Sequence, residues 1–201
     1  MDIAGARGRA ARIGSALRRA RTGPAMRELS GDLSAAVRAR PGRPAGVRDV
    51  CRALCEEMSA RRGGRPVEVR FERFPDEIEV TGLWVEFQDF DLVIVEERAE
   101  DVQQLVILGH ELWHLHAGHR HHHHGVGTMA AGVLAARSGW DSLALTVAAR
   151  NGSREDDEAE ADDFGHRLAS ALRLLVSGGV SGPLDPLQRA FGYRGRGGTV
   201  Q

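Results

Sequence analysis

Three features of the sequence predict an α+β fold. Apolar residues recur at helical spacing over 47–60, apolar and polar residues alternate from Val67, and two more strand-like runs precede a second amphipathic helix from about residue 102. Helix, short sheet, then helices is the order of an α+β domain. We therefore expect a small, mostly antiparallel sheet packed on helices.

Taken in order, residues 1–23 are rich in Arg, Ala and Gly and end at Gly23-Pro24. They read as a solvated tail, and no aromatic residue is interleaved to stack nucleic-acid bases. A weak helical pattern runs through Met26, Leu29, Leu33 and Val37, and Pro41-Gly42-Arg43-Pro44 then breaks the chain. The compact domain is expected over 45–192, after an N-terminal extension (1–44) that is partly helical or disordered. Val47, Val50, Cys51, Leu54, Cys55 and Met58 mark the first domain helix, closed by Arg61-Arg62-Gly63-Gly64. Val67, Val69 and Phe71 alternate with Glu68, Arg70 and Glu72 as a half-buried strand, and 79–87 and 90–96 read as two more. Asp101 is the expected N-cap of a helix from 102 to about 117. A His/Gly segment (118–127), a helical stretch with a break near Gly139 (128–150) and a long helix (154–176) follow. The Gly-rich end, 193–201, reads as a flexible tail.

At 201 residues and 42% hydrophobic composition, the chain has the size of one domain and enough apolar residues for a core. No apolar run nears the roughly 20 residues of a membrane helix, and the N-terminus lacks the charged-then-apolar order of a secretory signal. Cys51 and Cys55 fall on neighbouring turns of one helix, a poor geometry for a disulfide. They therefore point to a reducing compartment, the cytoplasm. All 27 basic residues are Arg, which reads as a coding bias. The net charge of −1 hides an asymmetry: residues 1–48 hold 11 Arg against Asp2, Glu28 and Asp32, while the remainder holds 16 Arg against 25 acids. Eight of the nine histidines lie between His110 and His124.

That concentration begins with His110-Glu111-Leu112-Trp113-His114, an H-E-x-x-H on a segment that reads independently as helix. Positions i and i+4 share a helix face, so both imidazoles can reach one tetrahedral zinc, one ion per chain. Glu111 is placed to act on a water as general base. Leu105, Leu108, Leu112 and Leu115 form a separate stripe that anchors the helix. Catalytic zinc usually takes a third protein ligand. Extension to H-E-x-x-H-x-x-G-x-x-H fails, because Ala117 and Arg120 stand at the required Gly and His positions. His119 is too close to His114 to join it without a sharp chain reversal. The acidic run from Glu155 to Asp163 offers a better source. Glu158 and Asp162, four apart, can both face the His helix, Glu158 as zinc ligand and Asp162 as acceptor for the second ring N–H of His110 or His114. Glu160 points about 200° away from Glu158 around the helix and is the alternative ligand.

These motifs resemble the ImmA/IrrE-type metallopeptidase domain, whose members carry H-E-x-x-H and, downstream, E-x-x-A-N-x-F-A. The matching stretch is Glu158-Ala159-Glu160-Ala161-Asp162-Asp163-Phe164-Gly165, with Asp162 in place of Asn and Gly165 in place of Ala. Asp162 keeps an acceptor, and the Gly165 exchange is expected to matter little. The resemblance covers roughly 47–176 and includes the Arg-Gly-Gly-Arg-Pro-Val turn and the Gly82-Leu83-Trp84 strand. The chain is also similar to actinobacterial toxin components of toxin–antitoxin systems. The resemblance implies a zincin-like fold and an intracellular peptidase that acts on a helix-turn-helix regulator or antitoxin-like partner.

The expected activity is zinc-dependent endopeptidase action, with Glu111 moving the proton. The alternative is a non-hydrolytic zinc module that sequesters a transcription regulator. A third, weaker reading is nucleic-acid binding through the Arg-rich N-terminus. For the run His119–His124 three readings stay open: a solvent-facing loop, an accessory metal site, or one histidine contributing to the active site.

Overall fold

The computed structural model describes residues 22–42, 44–74, 76, 81–119 and 155–176. Its first helix, α1 (22–39), buries Met26, Leu29, Leu33 and Val37 along one face, at the three- and four-residue steps read from the sequence. Those four side chains belong to the same core as the helices that follow. The packed body therefore begins ahead of the boundary expected at residue 45. Asp32 pairs with Arg61, and Arg38 donates to the Ala171 carbonyl, fastening α1 from two sides.

Helix α2 (Val47–Arg61) buries Val47, Val50, Cys51, Ala53, Leu54, Cys55 and Met58. Both cysteines are free thiols. Burial pushes the Cys51 thiol up to about 12 and Cys55 well above its ordinary value, so both act as small apolar core residues. The sheet follows with β1 (Val67–Glu72), β2 (Gly82–Glu86) and β3 (Asp91–Glu96), in the order β1-β3-β2. β2 and β3 form a tight antiparallel pair, but β1 runs parallel to β3. The sheet is thus mixed, where a mostly antiparallel one was expected. β3 lies between the other two and has all six residues buried. One sheet face, through Val93 and Val95, joins the helical core; the other holds Phe74, Leu83, Val85, Phe87, Leu92 and Ile94.

The turn from α2 to β1 is locked by Asp91, which is fully buried. Its carboxylate accepts from Arg62 at 3.1 Å, from Arg65 at 2.7 Å and from the Trp84 indole at 3.0 Å. A buried carboxylate needs such paired donors. Arg62 also donates to the Leu115 carbonyl, tying this cluster to the end of the next helix.

Helix α3 (Asp101–Ala117) carries the H-E-x-x-H motif. Asp101 is its first residue and not its cap. Glu100 stands at the cap without a side-chain bond, and the Gln104 amide instead donates to the carbonyls of Glu97 and Ala99. Helix α4 (Glu155–Val176) buries Glu160, Ala161, Phe164, Gly165, Leu168, Ala169, Leu172 and Val176. It meets α3 at a pair of glycines. A Cβ on Gly165 would stand 2.5 Å from the Val106 carbonyl oxygen and 3.2 Å from the His110 nitrogen, and one on Gly109 would stand 2.8 Å from the Gly165 Cα. Gly165 is therefore where the two backbones touch, which corrects the expectation that its exchange for Ala matters little.

The coarse architecture is α+β, with four helices and one three-stranded sheet among the described residues. Among them no helix is long and apolar enough to cross a membrane. The segments expected at 120–127, 128–150 and 193–201, and the tail before residue 22, lie outside the described residues.

Candidate metal centre

The face of α3 that carries His110 and His114 looks toward the first turn of α4. The apolar stripe Leu105, Leu108, Leu112 and Leu115 is fully buried and fixes the rotation of α3. Phe164, stacked on Trp113 with ring centroids 5.2 Å apart, does the same for α4. The glycine contact brings the two axes close at the level of His110. The helix geometry read from the sequence thus becomes a convergence of three side chains.

His110 Nε2 and His114 Nε2 stand 3.0 Å apart. Glu158 places one carboxylate oxygen 3.3 Å from His110 Nε2 and the other 3.8 Å from His114 Nε2. One ligand atom from each residue lies within 4.8 Å of the others, and the group can hold a metal ion. Glu160 is not part of it. That side chain is buried on the other side of α4, and its Oε1 has no hydrogen-bond partner among the described residues.

The outer nitrogens of both rings are also engaged. His110 Nδ1 lies 2.8 Å from Asp162 Oδ1, where an acceptor for a ring N–H was expected. His114 Nδ1 lies 3.2 Å from His119 Nδ1. The sequence excluded His119 from the site unless the chain reversed sharply, and it does. Gly118 takes φ +69°, a left-handed conformation that suits glycine at a helix end, and His119 N–H bonds back to the His114 carbonyl at 3.0 Å. His119 therefore arrives behind His114, away from Glu158, and its Nε2 is 4.0 Å from Asp157 Oδ1. His116 lies elsewhere, packed against Trp113, and burial together with Arg61 and Arg62 lowers its pKa. His121–His124 lie outside the described residues.

No family model, no curated protein and no solved structure matches this chain. The chemistry of the site is accordingly read from its own residues.

Glu111 is almost completely buried, beneath β2. Gly82 makes room for it: a Cβ there would stand 2.9 Å from Glu111 Oε1 and 2.5 Å from Ile107. Burial pushes the Glu111 carboxyl up to about 7. His110 opposes the rise, the Glu158 charge adds to it, and a bond from the Trp84 main-chain N–H opposes it again. For His110, burial disfavours the charge, but Glu158, Glu111 and Asp162 outweigh it and raise the metal-free imidazole to about 9. Three carboxylates thus surround one histidine pair, a surplus of negative charge that a bound cation would neutralise.

Proposed function

We propose that the chain is a zinc-dependent endopeptidase of the ImmA/IrrE type that acts on a helix-turn-helix regulator or antitoxin-like partner in the cytoplasm. The observation that carries this reading is the convergence of His110 Nε2, His114 Nε2 and Glu158 beside a buried Glu111. The donor set suits zinc: two imidazoles and a carboxylate, with bonds of about 2.0–2.1 Å, put neighbouring donors of a tetrahedron about 3.3 Å apart. The two Nε2 atoms at 3.0 Å and the Glu158 oxygen 3.3 Å from His110 Nε2 lie near that value, and one ligand atom from each of the three residues lies within 4.8 Å of the others. Three protein ligands leave a fourth position for water or substrate, as in catalytic and not structural zinc sites.

His110, His114 and Glu158 would hold the ion, which supplies a lowered water pKa and a polarised peptide carbonyl. Glu111 provides proton transfer. Its carboxyl lies beside His110 and Glu158, where it can take a proton from a water at the site and return it to the leaving amine. The Trp84 N–H bond holds that carboxylate under β2. Among the described residues β2 is an edge of the sheet. An extended substrate segment adding along it would run past Glu111, with main-chain hydrogen bonds giving affinity.

The test is Glu111→Gln. The variant keeps size and reach but loses the basic oxygen, and Glu111 is not among the three metal-holding side chains. We expect it to fold and retain zinc while cleavage of a helix-turn-helix partner, read by intact mass, falls by about 10² or more. A zinc-replete Glu111→Gln protein that still cleaves at the parental rate would overturn the peptidase reading. One that binds the partner and keeps its full regulatory effect in cells, with no cleavage by either protein, would establish the sequestering module instead.

A further inference from the structure

The two histidines of the metal centre are supported differently, and only one support has the usual form. His110 is backed by a carboxylate, Asp162. His114 is backed by another imidazole, His119, which in turn faces the carboxylate of Asp157. Resting on the metal-centre reading above, we propose that His119 is a positioning residue for His114, and that Asp157 orients His119.

The assignment follows from counting protons on nitrogens. A histidine that gives Nε2 to a metal must carry its proton on Nδ1. The Nε2 atoms of both rings face Glu158, so the ligating nitrogen of His114 is Nε2 and its Nδ1–H is a donor. The atom 3.2 Å away is His119 Nδ1, which must therefore be an acceptor with a free lone pair. A neutral His119 with Nδ1 bare carries its proton on Nε2. That N–H is on the side of Asp157, whose Oδ1 lies 4.0 Å away. One arrangement of protons fits: His114 Nδ1–H bonds to His119 Nδ1, and His119 Nε2–H lies on the side of Asp157, a charge contact at 4.0 Å and not a hydrogen bond. The other tautomer of His119 would set two N–H groups against each other.

The backbone is built for this contact. Without the left-handed Gly118, α3 would end with residue 119 pointed away. With it, His119 bonds twice to His114, once through its main-chain N–H and once through its ring. The rings meet edge-on, with centroids 5.3 Å apart and planes at 65°, which suits an in-plane N–H···N bond. His114 is fully buried and Asp157 is on the first turn of α4, the turn that also supplies Glu158. His110 is thus held directly by Asp162 on α4, and His114 by His119, which faces Asp157 on the same stretch of α4.

The test compares zinc affinity, by competition with a chelator, in the full-length parent and in His119→Ala, His119→Asn and Asp157→Asn. Loss of a partner that orients a metal-ligating histidine costs roughly 10- to 100-fold in metal affinity. We expect a loss of that size for His119→Ala. His119→Asn should regain most of it, because its amide oxygen stands near where Nδ1 stood and can accept the same proton. Asp157→Asn should cost less and add nothing in the His119→Ala background, the mark of two groups acting in series. In the zinc-loaded parent, nitrogen NMR should show a coupling through the hydrogen bond between His114 Nδ1 and His119 Nδ1, with the His119 proton on Nε2. That coupling does not depend on any variant folding. Parental zinc affinity in His119→Ala, a His119→Asn protein as weak as His119→Ala, or a His119 proton on Nδ1 would each overturn the proposal while the metal centre stands. A parent that takes up no zinc would instead overturn the metal centre itself, and this proposal with it.

Discussion

Glu160 stands two positions after Glu158, and an α-helix turns about 200° over that step. The same carboxylate chemistry therefore meets opposite environments. Glu158 is partly exposed and faces both imidazoles, while Glu160 is buried on the core side of α4, with an oxygen that has no hydrogen-bond partner among the described residues. Removing the charge by Glu→Gln separates the two roles. Glu158→Gln takes away an anionic donor from the centre, so zinc retention against a chelator should fall sharply. Glu160→Gln should leave it close to the parent. Asp162→Asn should fall between them, since Asn keeps an oxygen for the His110 Nδ1–H and loses only the charge. Equal losses at 158 and 160 would mean that α4 is rotated from the register described here.

At the scale of elements, the site depends on how closely α3 and α4 approach. Glycine inside a helix costs roughly 1 kcal/mol relative to Ala, yet Gly109 and Gly165 both lie within helices at the crossing. Gly165→Ala would recover propensity and force its methyl onto the Val106 carbonyl and the His110 nitrogen. Overpacking of this kind typically costs about 1–3 kcal/mol. We expect a lower thermal midpoint by circular dichroism and weaker zinc binding, because the displaced segment of α3 bears His110. A Gly165→Ala protein more stable than the parent would show that the crossing tolerates the methyl. This glycine contact was not legible in the sequence, since close approach belongs to two helices meeting and leaves no periodic trace in either. The helices themselves were legible: Leu105, Leu108, Leu112 and Leu115 mark one face of α3 by spacing alone, and the i, i+4 relation puts His110 and His114 on another. β1 was legible as a strand from its alternation, but its parallel pairing with β3 was not, because it depends on where the connection after Glu72 leads. His119 lay between these cases. Gly118 directly after the last helical residue is a known stop signal, and reading it as a left-handed cap would have folded His119 back onto His114.

For the molecule as a whole, one core joins α1 to the helices that build the centre, and the ionisation of that centre is coupled to global stability. In the metal-free protein His110 titrates near 9 against an ordinary 6.5, and Glu111 near 7 against 4.5. Both pKa values are raised, so the folded state binds these protons more tightly than the unfolded chain does. The His110 contribution is fully present below 6.5 and is lost as pH rises through about 9; that of Glu111 is present below 4.5 and lost as pH rises through about 7. His116 acts in the opposite sense: burial with Arg61 and Arg62 lowers its pKa, so its contribution is present above 6.5 and is lost as pH falls below that value. The remaining shifted groups titrate outside this span. Asp76 is held low by its bond to Arg98, and at Glu96 burial is outweighed by Arg98 and main-chain donors. The buried thiols lie above it. Metal-free protein should therefore lose thermal stability from about pH 6.5 to 9, where His116 no longer opposes His110 and Glu111. Zinc held there would reverse the sign, because a histidine must be neutral to ligate and the ion would displace the His110 proton. The increase in melting temperature on adding zinc should grow over the same pH range, with proton release on binding measurable by calorimetry in buffers of different ionisation enthalpy. A metal-free melting temperature independent of pH across this window, or a zinc increment that shrinks as pH rises, would remove the protonated His110 from the centre.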